Sequence, residues 1–322
     1  MGGTLEHVNN SALHATWTTA DIPDQTGRTF VVTGANSGLG REATKALAAH
    51  NAHVIMAVRN EIKGRQARDE LLADQPGALL EVRALDLADL DSVRAFADGL
   101  HADGQAVNVL LNNAGVMMPP RSLSPQGQEI QFAGNHLGHF ALTGLLLDIL
   151  ATAEDPRVVT VSSSLHRRGS IHWGDLTGTA SYSPSAFYAQ SKFANILFGL
   201  ELDRRLRAAG SPIRSLLAHP GYSATNLQTS GPTGLAKFFS ATIGNRLLAQ
   251  SASMGALPEL FAATDPAAES GQYIGPDGRN EMKGHPTVVR PVASAEDPAT
   301  ARRLWELSEE LTGVRFDLST AD

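Results

Sequence analysis

Thr33-Gly34-Ala35-Asn36-Ser37-Gly38-Leu39-Gly40 joins two stretches of opposite character. Before it, Arg28 to Thr33 is a short β-branched run; after it, Arg41 to His50 is alanine-rich and reads as a helix. A strand, a glycine-rich turn and a helix start, in that order, are the context in which such a turn acquires chemical meaning. Gly34, Gly38 and Gly40 allow a tight turn, close approach of the backbone to a pyrophosphate, and tight packing of the first helix. The helix start offers free N–H groups and a partial positive charge to a phosphate. The spacing is G-x-x-x-G-x-G rather than G-x-G-x-x-G. The turn is expected to bind a dinucleotide through Gly34, Asn36, Ser37, Gly38, Leu39 and Gly40.

Working outward, strands and helices keep alternating. His53 to Val58, Leu79 to Ala84, Val107 to Leu111, Arg157 to Val161 and Ile213 to Ala218 read as strands. Asn60 to Asp74, Ala88 to Ala102, Ser124 to Thr152 and the stretch from Ser185 to about Ala209 read as helices. Gly271 to Gly275 is expected to form a short last strand and Pro298 to Leu311 a terminal helix. This alternation implies one doubly wound, Rossmann-type α/β domain, with a parallel sheet of about seven strands covered by helices on both faces. Residues 1 to 24 read as a polar arm with Trp17 its one candidate for docking, and residues 25 to 322 as the domain. Residues 225 to 257, rich in Gly, Ser and Ala, read as a substrate lid following a strand end.

Composition narrows the function. The 322 residues carry a net charge of -7, which argues against nucleic acid or an anionic membrane as partner. There is no cysteine, so thiolate catalysis and thiolate metal sites are excluded. The longest apolar run, Phe140 to Leu150, is too short to span a bilayer and contains Asp148. A cytoplasmic location is expected. His136 and His139 have an i,i+3 spacing, but no third ligand stands near them, so no metal is expected. Ser163 and His219 could suggest a hydrolase triad, yet no serine lies in a G-x-S-x-G elbow.

Two further places carry chemistry. The second strand ends in Ala57-Val58-Arg59-Asn60 with no carboxylate before Glu61. An acid there would hold a ribose 2′-hydroxyl, whereas Arg59 suits a 2′-phosphate, so NADP is expected over NAD. Asp86, followed by Leu87 at the third strand's end, fits a hydrogen bond to adenine, although a helix N-cap role is equally open to it. Of the four tyrosines, only Tyr188 has a lysine, Lys192, at i+4, which on a helix puts both side chains on one face. An ammonium ~4 to 5 Å from a phenol, at an effective dielectric near 20, favours the phenolate by roughly 3 to 4 kcal/mol before desolvation. That would lower the phenol by about two pKa units and make Tyr188 a usable general acid/base.

Together, Thr33 to Gly40, Asn112-Asn113-Ala114-Gly115, Asn135, Ser163, Tyr188 with Lys192, and Pro220-Gly221 resemble the short-chain dehydrogenase/reductase family. The resemblance covers roughly residues 26 to 275. Asn135-His136-Leu137-Gly138-His139-Phe140 and the interval from Ser163 to Tyr188 look like the retinol dehydrogenase and WW-domain oxidoreductase branch, with its related bacterial reductases. That interval is about twice the family's usual length, and the extra segment, Arg168 to Ser183, is expected to border the substrate pocket.

The resemblance implies roles. Tyr188 would exchange a proton with the substrate oxygen, Lys192 would lower its pKa and hold the nicotinamide ribose, and Ser163 would hydrogen-bond the reacting oxygen. Asn135 would hold a water linking Lys192 to solvent. Asn113, Ala114, Gly115, Pro220 and Gly221 would border the cofactor, and Thr225 would meet its carboxamide or diphosphate. His166 is a pocket candidate that reads more readily as structural. The expected activity is NADP-dependent interconversion of a carbonyl and an alcohol on a small apolar alcohol, ketone or aldehyde. The rival readings are an NAD-preferring dehydrogenase of the same fold and a dinucleotide-sensing regulator without chemistry. Homodimer and monomer are both left open.

Overall fold

The computed structural model describes residues 16–222 and 250–318. β1 (Thr29–Thr33), β2 (His53–Val58), β3 (Leu79–Ala84), β4 (Val109–Asn112), β5 (Arg157–Val161), β6 (Arg214–Ala218), β7 (Tyr273–Pro276) and β8 (Pro286–Val289) form one sheet. Its order is β3-β2-β1-β4-β5-β6-β7-β8. β1 to β7 pair in parallel and β8 joins the edge antiparallel to β7. Among the described residues the sheet thus has eight strands rather than about seven. The additional strand is a four-residue edge element, Pro-Thr-Val-Val, with no alternating pattern long enough to stand out.

The inner strands are apolar throughout, and their side chains divide by parity between the two faces. Phe30 and Val32 of β1, Leu111 of β4 and Val159 of β5 join one core, while Val31, Leu110 and Val158 join the other. Helices α1 (Gly38–Ala49) and α2 (Glu61–Asp74) and the helix Ala252–Thr264 cover the first face. The second is covered by α3 (Leu90–Ala102), the helix Gly138–Leu145, the Tyr188 helix (Pro184–Ala208) and the C-terminal helix Pro298–Thr312. The strand order reverses between β1 and β4, and in open α/β sheets ligands bind outside the carboxyl ends of strands at such a point.

Three boundaries differ from expectation. The helix read from Ser124 begins only at Ile130. Pro125 and Gly127 close a turn instead, with Gly127 at φ +81° and a bridge between Leu123 and Glu129. Asp86 is not an N-cap; Asp89 caps α3, its Oδ1 accepting from the Asp91 N–H at 3.1 Å. Of the stretch read as a lid, residues 252 to 257 lie in the helix Ala252–Thr264, whose residues from Gly255 onward are all buried; residues 225 to 249 are outside the described residues. Trp17 is buried and meets Phe261 edge-on at 5.4 Å, so residues just ahead of β1 dock on that helix.

Candidate active site

The glycine turn has the geometry that its residues require. Gly34 and Gly38 have φ of +70° and +56°, where an L side chain is strained. A Cβ on Gly40 would stand 2.6 Å from the Gly34 carbonyl oxygen and 2.5 Å from Asn113 Nδ2. Ser37 opens α1 without a side-chain cap, which leaves the first N–H groups of the helix available to a ligand. The adjoining strand ends are joined through Thr33, whose Oγ1 accepts from the N–H groups of Asn113 (3.0 Å) and Ala114 (2.9 Å). Asn113 in turn donates from Nδ2 to the Thr33 carbonyl at 2.7 Å. The loop after β4 and the glycine turn are therefore one rigid floor.

Around this floor stand the remaining residues singled out in the sequence. Arg59 is exposed and makes no ion pair among the described residues, while neighbouring Asn60 caps α2 through Lys63 N at 3.0 Å. Asp86 Oδ1 accepts from Ala88 N at 3.0 Å, next to the buried Leu87. Pro220 and Gly221 follow β6; Gly221 has φ +63°, and a Cβ there would stand 2.5 Å from the Met282 carbonyl oxygen. Thr225 lies outside the described residues.

Asn135 sits in a π turn, Ala133–Leu137, between the turn at Ile130 and the helix from Gly138. Its amide pairs with the main chain of Val116 in both directions, accepting from the N–H at 2.8 Å and donating to the carbonyl at 2.9 Å. Nδ2 also lies 2.9 Å from Ser191 Oγ, which ties the π turn to the Tyr188 helix. A Cβ on Gly115 would stand 3.3 Å from Asn135 Oδ1 and 3.5 Å from Lys192 Nζ, so all three converge.

Ser183 begins the Tyr188 helix as its N-cap and Pro184 occupies the first turn, as the helix start favours. Tyr188 is buried, and that burial pushes its phenol up to about 12, partly offset by the Ser163 hydroxyl. Lys192 Nζ donates to the Val161 carbonyl at 3.1 Å and lies 5.9 Å from the centre of the Tyr188 ring. Burial draws Lys192 down to about 8. The expected depression of Tyr188 by Lys192 is thus not present in this arrangement: the ammonium is turned to a strand-end carbonyl, and desolvation dominates the phenol. Ser163 Oγ accepts from Leu165 N at 3.2 Å, and Ser162 Oγ donates to the Lys192 carbonyl at 2.8 Å, so the neighbouring serine is committed to structure. The segment from Arg168 to Ser183 runs beside the helix start, with the His172 N–H donating to Gln190 Oε1 at 2.7 Å and the His172 ring meeting Phe187 edge-on at 5.1 Å.

His136, in the π turn, and His139, in the helix that follows it, are engaged internally. His139 contacts Thr33 Oγ1 and the Asn135 carbonyl, each at 3.0 Å, and His136 contacts Ser308 at 2.9 Å. Burial lowers both to about 3, so both are neutral.

One residue of interest escaped sequence reading. Glu259 is 2% exposed within the helix Ala252–Thr264, and neither carboxylate oxygen has a hydrogen-bond partner among the described residues. Burial raises it to about 8, and the attraction of Lys192 opposes that rise. The signal available was a single acid inside the otherwise apolar run Met254 to Ala263.

Comparison with known proteins fits this geometry. The short chain dehydrogenase family model matches residues 28–234. Human retinol dehydrogenase 12 is 39% identical over 295 residues, covering 90% of this chain and 88% of that protein. Mouse polyprenol dehydrogenase is 38% identical, covering 91% and 86%. A crystal structure of an uncharacterized protein from Mycobacterium paratuberculosis is 45% identical with a TM-score of 0.78, covering 94% of this chain and 99% of that one. A Beutenbergia cavernae chain described as an NAD(P) dependent gluconate 5-dehydrogenase, with bound NADP, is 27% identical with a TM-score of 0.60, covering 77% and 94%. The chain belongs to the short-chain dehydrogenase family and is an NAD(P)-dependent oxidoreductase of its retinol dehydrogenase branch.

Proposed function

We propose that this chain is an NADP-dependent oxidoreductase that interconverts an apolar aldehyde or ketone with its alcohol, with Tyr188 as general acid/base. The observation that carries the reading is the convergence of Gly115, Asn135 and Lys192 beside Tyr188 and Ser163, at the strand ends next to the glycine turn. The glycine turn, Asp86, Leu87, Asn113 to Gly115, Pro220 and Gly221 would hold the cofactor, whose nicotinamide supplies or accepts the hydride. The positive φ of Gly34 and Gly38, and the absence of space for a Cβ at Gly40, fit a backbone cradle for a diphosphate. Arg59, exposed at the end of β2 and without an ion pair among the described residues, supports NADP over NAD as the 2′-phosphate partner.

In reduction, Ser163 would donate a hydrogen bond to the substrate oxygen and hold it against the Tyr188 hydroxyl, which gives up its proton as negative charge develops there. Lys192 would orient the cofactor ribose and favour the phenolate left behind, once drawn from the Val161 carbonyl. Asn135 would hold the water through which Lys192 exchanges protons with solvent. An apolar substrate is supported by the relatives' names, since retinol and polyprenols are long apolar alcohols, and by the scarcity of charge in residues 225 to 249, where Lys237 and Arg246 are the charged residues among Leu227, Leu235, Phe238, Phe239, Ile243 and Leu247. No helix among the described residues is long and apolar enough to cross a membrane.

The test is NADPH consumption with retinal and medium-chain aldehydes, against charged polyols and sugar acids tested with NADP as oxidant. Turnover of the apolar aldehydes is expected; turnover confined to the charged compounds would overturn the substrate class.

A further inference from the structure

A buried histidine stands directly behind Ser163 and has no part in the chemistry above. His166 has no exposed surface and lies in the short 3₁₀ turn, Ser164–Arg168, that follows Ser163. Its Nδ1 is 2.6 Å from the Ser163 carbonyl oxygen, and its Nε2 is 3.2 Å from the Val292 N–H. A carbonyl only accepts and an N–H only donates, so the two contacts fix one tautomer: Nδ1 carries the proton and Nε2 carries the lone pair. Burial holds the ring neutral, with its pKa lowered to about 4. The Tyr273 hydroxyl, 3.4 Å from Nδ1, and the edge-on Tyr273 ring at 5.5 Å close the pocket around it.

The turn has a second anchor on the Tyr188 helix. A Cβ on Gly169 would stand 2.3 Å from the Ala189 carbonyl oxygen, so the turn's end is pressed against the residue that follows Tyr188. The strand Val161 leads in from one side, the Gly169 contact fixes the other, and His166 ties the middle to the segment after β8. Ser163 is half-buried, with extended backbone angles of φ -153° and ψ 154°, and its carbonyl also accepts from the His166 main-chain N–H at 2.9 Å.

We propose that His166 is a positioning residue for Ser163: its Nδ1–H, presented in one tautomer by the Val292 N–H, holds the Ser163 carbonyl and so sets where the Ser163 hydroxyl stands relative to Tyr188. The proposal rests on the Ser163 role given above and adds the residue that enforces it. A shift of about 1 Å in a reacting group can cost on the order of a hundredfold in rate, so a neutral ring remote from substrate can govern turnover.

The two ring nitrogens can be replaced one at a time. Asn reaches about as far as Nδ1 and keeps a donor for the Ser163 carbonyl, whereas Gln reaches about as far as Nε2 and keeps an acceptor for Val292. The assay is NADPH oxidation with the aldehyde turned over fastest in the screen above, together with NADPH affinity by fluorescence titration. His166→Asn is expected to keep kcat within about threefold, and His166→Gln to lose roughly tenfold or more in kcat with NADPH affinity unchanged. Ser163→Ala is expected to lose roughly a hundredfold, and adding His166→Gln to it should cost no more than about another twofold, because the two act through one hydroxyl.

A His166→Gln loss that persists in full in the Ser163→Ala background overturns the proposal and leaves the Ser163 role standing. Full activity of Ser163→Ala overturns the Ser163 role, and any part for His166 acting through it. If His166→Gln fails to fold, His166→Asn decides: a tenfold fall in its kcat with NADPH affinity intact is contrary to the proposal.

Discussion

Glu259 offers a test of the site's electrostatics that needs no substrate. Burial raises its carboxyl from the ordinary 4.5 to about 8. A group whose folded pKa lies above its unfolded value favours the unfolded state as pH rises through that interval. The loss begins near pH 4.5, where the unfolded chain starts to ionise, and stops growing above about pH 8. Each unit is worth about 1.4 kcal/mol, so a shift of that size has an upper bound on the order of 4 to 5 kcal/mol. Relaxation and water entry around the ionised group return part of it, and about 2 kcal/mol at pH 8 is the working magnitude. Other charged groups on the surrounding elements are committed elsewhere, Arg157 and Arg214 to Asp155, Arg41 to Glu70 and Lys45 to Asp74, and the His219 ring faces Glu281. Glu259→Gln keeps the shape of the protonated acid and cannot ionise. By urea denaturation it should match the parent protein near pH 4.5 to 5 and exceed it by about 2 kcal/mol at pH 8. A stability difference that is the same at both pH values would refute a buried, ionisable Glu259.

Arg59→Ala should weaken NADPH by roughly 10- to 100-fold, the worth of one charge-assisted contact, while NADH affinity changes by less than about threefold. Equal losses for both cofactors, measured by fluorescence titration, would remove Arg59 from the 2′-phosphate site. Gly40→Ala would place a methyl 2.6 Å from the Gly34 carbonyl oxygen, a backbone atom that cannot swing aside. It should abolish measurable binding of both cofactors, with or without loss of folding; unchanged affinity would contradict the tight turn.

The features legible in the sequence were those carried by short-range constraints. Gly34, Gly38 and Gly40 announce themselves because no other residue tolerates their backbone angles or contacts. Tyr188 and Lys192 share a helix face by spacing alone, and the alternation of apolar strands with helices specified the parallel sheet. What was not legible depends on tertiary environment. β8 exists because β7 offers it an edge, not because four residues insist on a strand. The helix start at Ile130 is decided by Glu129, buried, whose carboxylate caps Gln131 and Phe132 at 3.0 and 2.8 Å. The i+4 spacing put Lys192 near Tyr188 but could not show its Nζ turned to the Val161 carbonyl, nor that burial would raise the phenol rather than lower it. Glu259 stands out only once the helix around it is seen to be buried.

The central chemical role is most directly tested at Tyr188. Tyr188→Phe removes one oxygen from a buried ring and leaves the glycine turn and Arg59 untouched. NADPH affinity should stay within about threefold, while kcat for aldehyde reduction should fall by roughly a hundredfold to ten-thousandfold, the usual worth of a general acid. Turnover within tenfold of the parent protein, with the cofactor still bound, would contradict proton transfer by this hydroxyl.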